Sequence, residues 1–337
     1  MTWRVVAAGR ADIGSRSRQE DAFGIWPPEA EAYPFQENGL LVVVTDGMGG
    51  HAGGEIAGAL ACETFISRFS ELTAAKKGAP DARLQAALTA SNAAIKARRA
   101  EDDKLARMGC TLVAAWMDEA GLRWVSVGDS LLLRVRDGKV LRLNADHSLG
   151  AFLDERVRRH EISDREAARN PYRNALRSAL TGKTLELVDL REEPFPVQPG
   201  DWLILASDGI ATLTESEIAD VVGVEREADP GAMAARLIAA VRGKEDPNQD
   251  NTTVLALKVA ADPDCPEEAP TRVLRGEPEA GPNPEPVDAT DDEMLPTQPF
   301  LRAFGVSNET SRYPLVLFAL GLVFLFTVGW ALRAFFG

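Results

Sequence analysis

LLVVVTDGMGGHAGGE, residues 40–55, is the stretch on which the reading of the chain turns. Five apolar residues in an unbroken run, rich in Val, are too few for a helix and read as a strand buried on both faces. Asp46 closes the run. Five glycines fall within the next ten residues, so the backbone there can approach another group closely, and the small-residue run from Glu55 reads as a helix over about 55–69. Strand, acid, glycines and helix in that order predict a site.

Asp-Gly is also the commonest hairpin signal, and the chain has three such pairs. Asp137-Gly138 lies between LLLRVR and KVLRL, which alternate, and is expected to be a plain two-residue turn. Asp46-Gly47 and Asp208-Gly209 differ because each closes a continuous apolar run, VVVTD and WLILASD. A carboxylate at the end of a buried strand is costly unless something compensates its charge, and a divalent cation would do so.

Outward from these two pairs, WRVVAAG and the run Phe23–Trp26 read as strands joined by a polar loop, and a second helix is expected over about 81–100 with Asp81 as its cap. CTLVAAWMD, LRWVSVGD, SLLLRVRD and KVLRLN read as a meander of antiparallel strands. Residues 147–187 are broken and charged, with one short helix from Ser163 to before Pro171, and are expected to form a flap. DWLILASD, helices near 215–222 and 231–242, and TTVLALKVA complete the pattern. Strand blocks separated by helix pairs, without regular βαβ alternation, predict an α+β fold.

A net charge of −14 over 337 residues argues against a nucleic-acid binder. Three widely spaced cysteines form neither a zinc set nor a disulfide framework. Residues 261–312 are rich in Pro, Asp and Glu and read as a disordered linker. Residues 314–332 are apolar and free of charge, flanked by Arg312 and Arg333, and 313–333 are expected to form one transmembrane helix before a short tail, 334–337. No secretory leader is evident at the start, so the expected location is the inner membrane, with the folded part, 1–260, on the cytoplasmic side.

The remaining acids at breaks in the strand pattern are Glu20, Asp21, Asp129 and Asp250. With Asp46 and Asp208 they describe an all-oxygen site without a His or Cys set, which suits Mg2+ or Mn2+ rather than zinc. RSRQEDAF (16–23), VVTDGMGGHAGGEIA (43–57), GCTLVAAW (109–116), VGDSLLLRV (127–135), DHSL (146–149), EAARNPYRNALRSAL (166–180), LILASDGIATLT (203–214) and DNTTVLAL (250–257) stand in one order along the chain. In these segments the chain resembles the metal-dependent protein serine/threonine phosphatases of the PPM, or protein phosphatase 2C, type in their bacterial form.

The resemblance implies a sandwich of two mostly antiparallel sheets flanked by helix pairs. It further implies hydrolysis of phosphoserine and phosphothreonine by in-line attack of a hydroxide bridging two Mn2+ or Mg2+ ions. Asp46 would bridge the metals and Gly47 would offer its carbonyl; Asp208 and Asp250 would ligate one metal, and Glu20 or Asp21 would serve the other. Asp129 would join Asp208 at a looser third metal, and Arg16 would bind phosphate. Gln19 stands where the family usually has Asn, Asn170-Pro171 where it has His-Pro, and Met48 where some members have a proposed acid. His51 is a candidate to reach the leaving oxygen, His147 is expected to order a loop beside the site, and His160 to lie on the flap surface.

The expected partners are phosphorylated proteins, a bacterial Ser/Thr kinase with its substrates, the membrane, and forkhead-associated domains at Thr271 or Thr297. A non-catalytic phosphoprotein-binding module on the same fold is the alternative, and a hydrolase of small phosphate esters a third reading. TGKT at 181–184 does not make a phosphate-binding loop, because Arg177 stands where that motif needs Gly.

Overall fold

The computed structural model describes residues 3–27, 33–34, 39–49, 53–224 and 229–261. His51, Thr271, Thr297, the linker and the apolar run 314–332 lie outside the described residues, and among the described residues no helix is long and apolar enough to cross a membrane.

In chain order the strands are β1 (Trp3–Asp12), β2 (Ala22–Trp26), β3 (Tyr33–Pro34), β4 (Leu40–Thr45), β5 (Gly47–Met48), β6 (Gly109–Cys110), β7 (Leu112–Asp118), β8 (Gly121–Val127), β9 (Leu131–Arg136), β10 (Lys139–Arg142), β11 (Asp189–Leu190), β12 (Trp202–Ala206) and β13 (Thr252–Ala261). The helices are α1 (Gly53–Ala74), α2 (Pro80–Glu101), α3 (Leu149–Arg158), α4 (Asp164–Ala168), α5 (Glu215–Val224) and α6 (Pro230–Arg242). Six strands form one sheet in the order β10-β9-β12-β13-β1-β3, and five form another in the order β11-β8-β7-β4-β2, while β5 pairs with β6. The described pairings are antiparallel, as expected.

Three apolar layers explain why the central strands are apolar throughout. Leu41 and Val43 of β4 pack under α1 and α2, whereas Leu40, Val42 and Val44 fill the space between the sheets. On the other sheet, Leu203 and Leu205 of β12 point to the inter-sheet layer, and Trp202, Ile204 and Ala206 to the layer under α5 and α6. Antiparallel sheets usually keep one wet face; here a helix pair covers each outer face, so the strands lose the polar-apolar alternation.

Several expected elements differ in extent. α1 begins two residues earlier than Glu55 and runs five residues beyond Phe69. Asp81 does not cap α2: Ala79 holds the cap position, Pro80 opens the helix and Asp81 sits in the first turn, where its charge suits the helix dipole. α3 lies within the stretch that reads as irregular, with Ser148 accepting from the Ala151 N–H at its start; it buries only Gly150 and Leu153. Asp137-Gly138 is the expected turn, with both residues at positive φ and Arg136 opposite Lys139.

The four-strand meander is a correction. β7 and β8 pair in the five-stranded sheet, but β9 pairs with β10 and β12 in the other. The chain changes sheets at Gly128-Asp129-Ser130, with Gly128 at φ +105, a conformation side chains oppose, and packed on Thr111.

Trp26, Phe69 and Trp116 form a mutual cluster under α1, with Phe69 at 4.9 Å from Trp116 and 6.4 Å from Trp26 between ring centroids. Phe69 is fully buried. Phe69→Ala is expected to destabilise the domain by about 3–5 kcal/mol, seen as a lower urea midpoint at unchanged slope.

Candidate active site

Strand register brings the acids to one end of the sandwich. β1 and β13 pair along ten residues, with Asp12 opposite Thr252, so the loop carrying Arg16 and Glu20 starts beside Asp250. β12 and β13 pair with Ala206 opposite Val254, which sets Asp208 at that same end. Thr45 lies opposite Ala22, and Val44 opposite Val113, so Asp46, Glu20 and Thr111 meet. Leu112 opposite Val127 and Leu131 opposite Ala206 place Asp129 there too.

The two Asp-Gly pairs are built alike. A Cβ on Gly47 would stand 2.1 Å from the Gly54 carbonyl oxygen and 2.5 Å from that of Glu20, and a Cβ on Gly209 would stand 2.1 Å from the Asn251 oxygen. Each glycine therefore permits backbone-to-backbone packing beneath its aspartate. Gly47 donates to the Glu20 carbonyl at 3.1 Å, and Asp46 and Thr111 exchange two bonds, Asp46 N–H to Thr111 Oγ1 at 3.1 Å and Thr111 N–H to the Asp46 carbonyl at 2.8 Å.

A cleft of about 660 Å³ opens over these groups, and Arg16, Glu20, Asp46, Gly47, Asp129, Asp208 and Asp250 all line it. Asp21 does not. It lies behind the cleft, almost fully buried, with Oδ2 accepting from Ser207 Oγ at 2.7 Å and Oδ1 without a hydrogen-bond partner. Of the two neighbours left open by the sequence, Glu20 is thus the one that faces the cleft. Arg16 donates to Asp250 Oδ2 at 2.6 Å, both side chains being about half exposed.

Burial and mutual repulsion hold Glu20, Asp21, Asp46, Asp129 and Asp208 toward the protonated form. Asp46 is pushed well up, first by burial and then by Asp21, Asp208, Asp129 and Asp250. Asp129 is raised to about 7 by burial, with Asp208 and Asp146 adding to it. Asp21 is raised to about 7, chiefly by burial. Asp208 is raised by burial and by Asp250, and Glu20 likewise. The Oδ1 atom of Asp208 is buried without a partner.

Among the described residues no three His, Cys, Asp or Glu side chains form a ready set of metal ligands, and one oxygen of Asp250 is taken up by Arg16. The donor chemistry nevertheless fits divalent cations. Carboxylates crowd a low-dielectric cleft, and two buried oxygens have no hydrogen-bond partner, a combination that positive charge would relieve.

Residues that sequence patterns did not single out hold this arrangement. Asn251 accepts from the Glu20 N–H at 2.7 Å and donates to the carbonyls of Ile13 and Arg18 at 2.8 and 2.9 Å, tying the Arg16 loop to β13. Gln249 donates to the Gly209 carbonyl at 3.0 Å and accepts Ser15 N–H on its own carbonyl at 2.9 Å. A polar pair directly before a buried strand was the available signal. His147 orders a loop, as expected: its Nδ1 accepts from Gly128 N–H at 3.2 Å and its N–H donates to the Gly128 carbonyl at 3.0 Å. His160 is exposed at φ +59 just after α3. Met48 lines the cleft, and so do Thr181, Lys183 and Thr184 of the TGKT stretch.

The Protein phosphatase 2C family description matches residues 8–244. The chain is 31% identical over 252 residues to the serine/threonine phosphatase stp of Listeria welshimeri, covering 74% of this chain and 94% of that one. Among solved structures, the Mycobacterium tuberculosis serine/threonine phosphatase PstP/Ppp superposes with a TM-score of 0.60 at 30% identity, over 76% of this chain and 99% of that one. The catalytic domain of PstP in complex with two manganese ions superposes with a TM-score of 0.58 at 30% identity, over 77% and 100%. A sandwich of two antiparallel sheets with an acidic cleft at one end is thus a phosphatase fold. The chain belongs to the protein phosphatase 2C family.

The raised carboxyls set a pH dependence for the metal-free protein. Groups with higher pKa folded than unfolded bind extra protons in the native state, so stability falls as pH rises from the ordinary carboxyl value through about 7. His147, lowered by burial, works in the opposite sense below its ordinary value of 6.5 but is one group against several carboxyls, and Glu217, held near 2 by Lys244 and Thr214, acts only below that window. In a chelator, the melting temperature is expected to drop between pH 5 and pH 7.5, and added Mn2+ is expected to remove most of the drop; a flat chelated profile would contradict it.

Proposed function

We propose that the chain is a metal-dependent protein serine/threonine phosphatase. The observation that carries this reading is the meeting of Glu20, Asp46, Asp129, Asp208 and Asp250 with Arg16 in one cleft. A non-catalytic phosphoprotein-binding module would need the arginine; it would have no use for five carboxylates whose charges oppose one another and would repel phosphate.

Asp46, Asp208 and Asp250, with the Gly47 carbonyl, would hold Mn2+ or Mg2+, and Glu20 from the cleft wall would complete the set, with Asp21 supporting from behind. Asp129 would hold a further ion with Asp208. Bound cations supply Lewis acidity to the phosphoryl oxygens and lower the pKa of water. Arg16 orients the phosphoryl group: its planar guanidinium can give paired hydrogen bonds to two oxygens, and its exposed pair with Asp250 is weak enough to yield. Asn251 and Gln249 keep the Arg16 loop in register with Asp250, so the arginine and the acids stay aligned. His147 and Thr111 position the Gly128 turn and Asp46 in the same way.

Asp46→Asn and Asp208→Asn are each expected to lower Mn2+-dependent turnover of a phosphothreonine peptide by more than tenfold while the protein remains folded. Losing one charge from such a site removes more than about 1.4 kcal/mol of transition-state stabilisation. A variant that kept over about a tenth of wild-type turnover at saturating metal would overturn the assignment. Comparison with free phosphoserine separates a protein phosphatase from a hydrolase of small esters.

The apolar run 314–332 supports the further reading of a membrane anchor, since nineteen charge-free residues reach roughly 28 Å as a helix. Phosphorylated partners held at the inner membrane, among them a Ser/Thr kinase, then become clients through raised effective concentration. Thr271 and Thr297, each followed at the third position by a large apolar residue, are the proposed docking points for forkhead-associated domains. The full chain is expected in the membrane pellet of fractionated cells after a carbonate wash; release by the wash would refute the anchor.

A further inference from the structure

The cleft also has a wall built from residues 174–186, and that wall carries cations. Arg177 and Lys183 both line the cleft and both are exposed. Neither forms an ion pair among the described residues, although this is a chain with 51 acids against 37 bases. Glu186 stands on the same wall, so the excess there is one positive charge.

Both cations are on fixed backbone. Arg177 donates its N–H to the His147 carbonyl at 2.8 Å, and its guanidinium lies 4.3 Å from the centre of the Phe152 ring, on α3. The Lys183 turn is clamped to α2. Asn92 accepts from Gly182 N–H at 2.8 Å and donates to the Lys183 carbonyl at 2.7 Å, and Arg99 donates to the Thr181 carbonyl. Gly182 takes φ +75, where a Cβ would lie 2.6 Å from Lys96 Cα, so a side chain is excluded on two grounds.

An acidic peptide approaching a cleft with five carboxylates would be repelled unless part of the wall compensates. We propose that Arg177 and Lys183 form a second anion subsite, which receives a further negative group on the phosphoprotein substrate beside the phosphorylated residue. That group is an Asp or Glu side chain or a second phosphoryl group. The cleft, about 660 Å³, has room for a phosphorylated side chain with its neighbours. The subsite rests on the phosphatase reading and adds sequence preference to it: Arg16 takes the scissile phosphate, while Arg177 and Lys183 select what flanks it.

The test compares kcat/KM of the full-length protein in Mn2+ on phosphothreonine peptides of one sequence whose flanking positions carry Glu, Gln or a second phosphothreonine. The wild-type protein is expected to favour the Glu peptide over the Gln peptide by roughly three- to tenfold at low salt, with the preference shrinking as salt rises. The Arg177→Gln, Lys183→Gln double variant is expected to lose the preference and Lys183→Glu to reverse it, whereas Arg177→Lys keeps most of it. A wild-type protein that does not distinguish Glu from Gln, or a preference that survives in the double variant, would overturn the subsite and leave the phosphatase reading standing. No turnover of any of the three peptides would instead refute the phosphatase reading and the subsite with it. The doubly phosphorylated peptide identifies the preferred anion: a larger gain than with Glu assigns the subsite to phosphate, and an equal gain to negative charge in general. If the double variant does not fold, Lys183→Glu, altered at an exposed ammonium, carries the decision.

Discussion

Repulsion among buried carboxylates is the constraint on which this structure depends. Asp46 alone is pushed toward its protonated form by burial and then by four other aspartates. A fold does not gather such groups for stability, since each costs free energy that hydrogen bonds recover only in part. The rest of the molecule can be understood as the apparatus that forces them together: long antiparallel registers, two apolar layers beneath helix pairs, and a third between the sheets.

That apparatus works through the backbone more than through side chains. Gly47 and Gly209 let carbonyls and amides of separate segments pack within a distance no Cβ would tolerate. Thr45, buried between β2 and α1, donates to the carbonyls of Ala22 or Gly58, and Ser207 links Asp21 to the start of β13. Such bonds are individually worth about a kilocalorie per mole, but in a buried network each also prevents an unpaired group, which would cost more. The acids stay in place because their supports cannot move independently.

The cleft is electrically divided. Glu186 apart, its acids come from the strand ends and the loops beside them, and its cations from the Arg16 loop and from residues 174–186, the latter held against α2 and α3. Phosphate chemistry needs both signs near one another, since a phosphoryl group must be drawn in as an anion and then stabilised as its charge redistributes. Arg16 beside Asp250 is where the two meet.

The sequence by itself determined the strands around Asp46 and Asp208, the helix pairs, the Asp137-Gly138 turn and the set of acids. Their signals are local: apolar run length, glycine and proline placement, and charge at a strand end. Only the tertiary structure decided that β8 and β9 belong to different sheets, because Gly128 turns the chain there and no alternation pattern encodes which sheet a strand will join. Glu20 rather than Asp21 faces the cleft for a similar reason. Neighbouring residues entering a strand point to opposite sides, and which side is open depends on Ser207 and Thr253 some two hundred residues away. Asn251 and Arg177 gained their roles in the same way, through partners brought near by strand register and helix packing, which a chain read residue by residue does not contain.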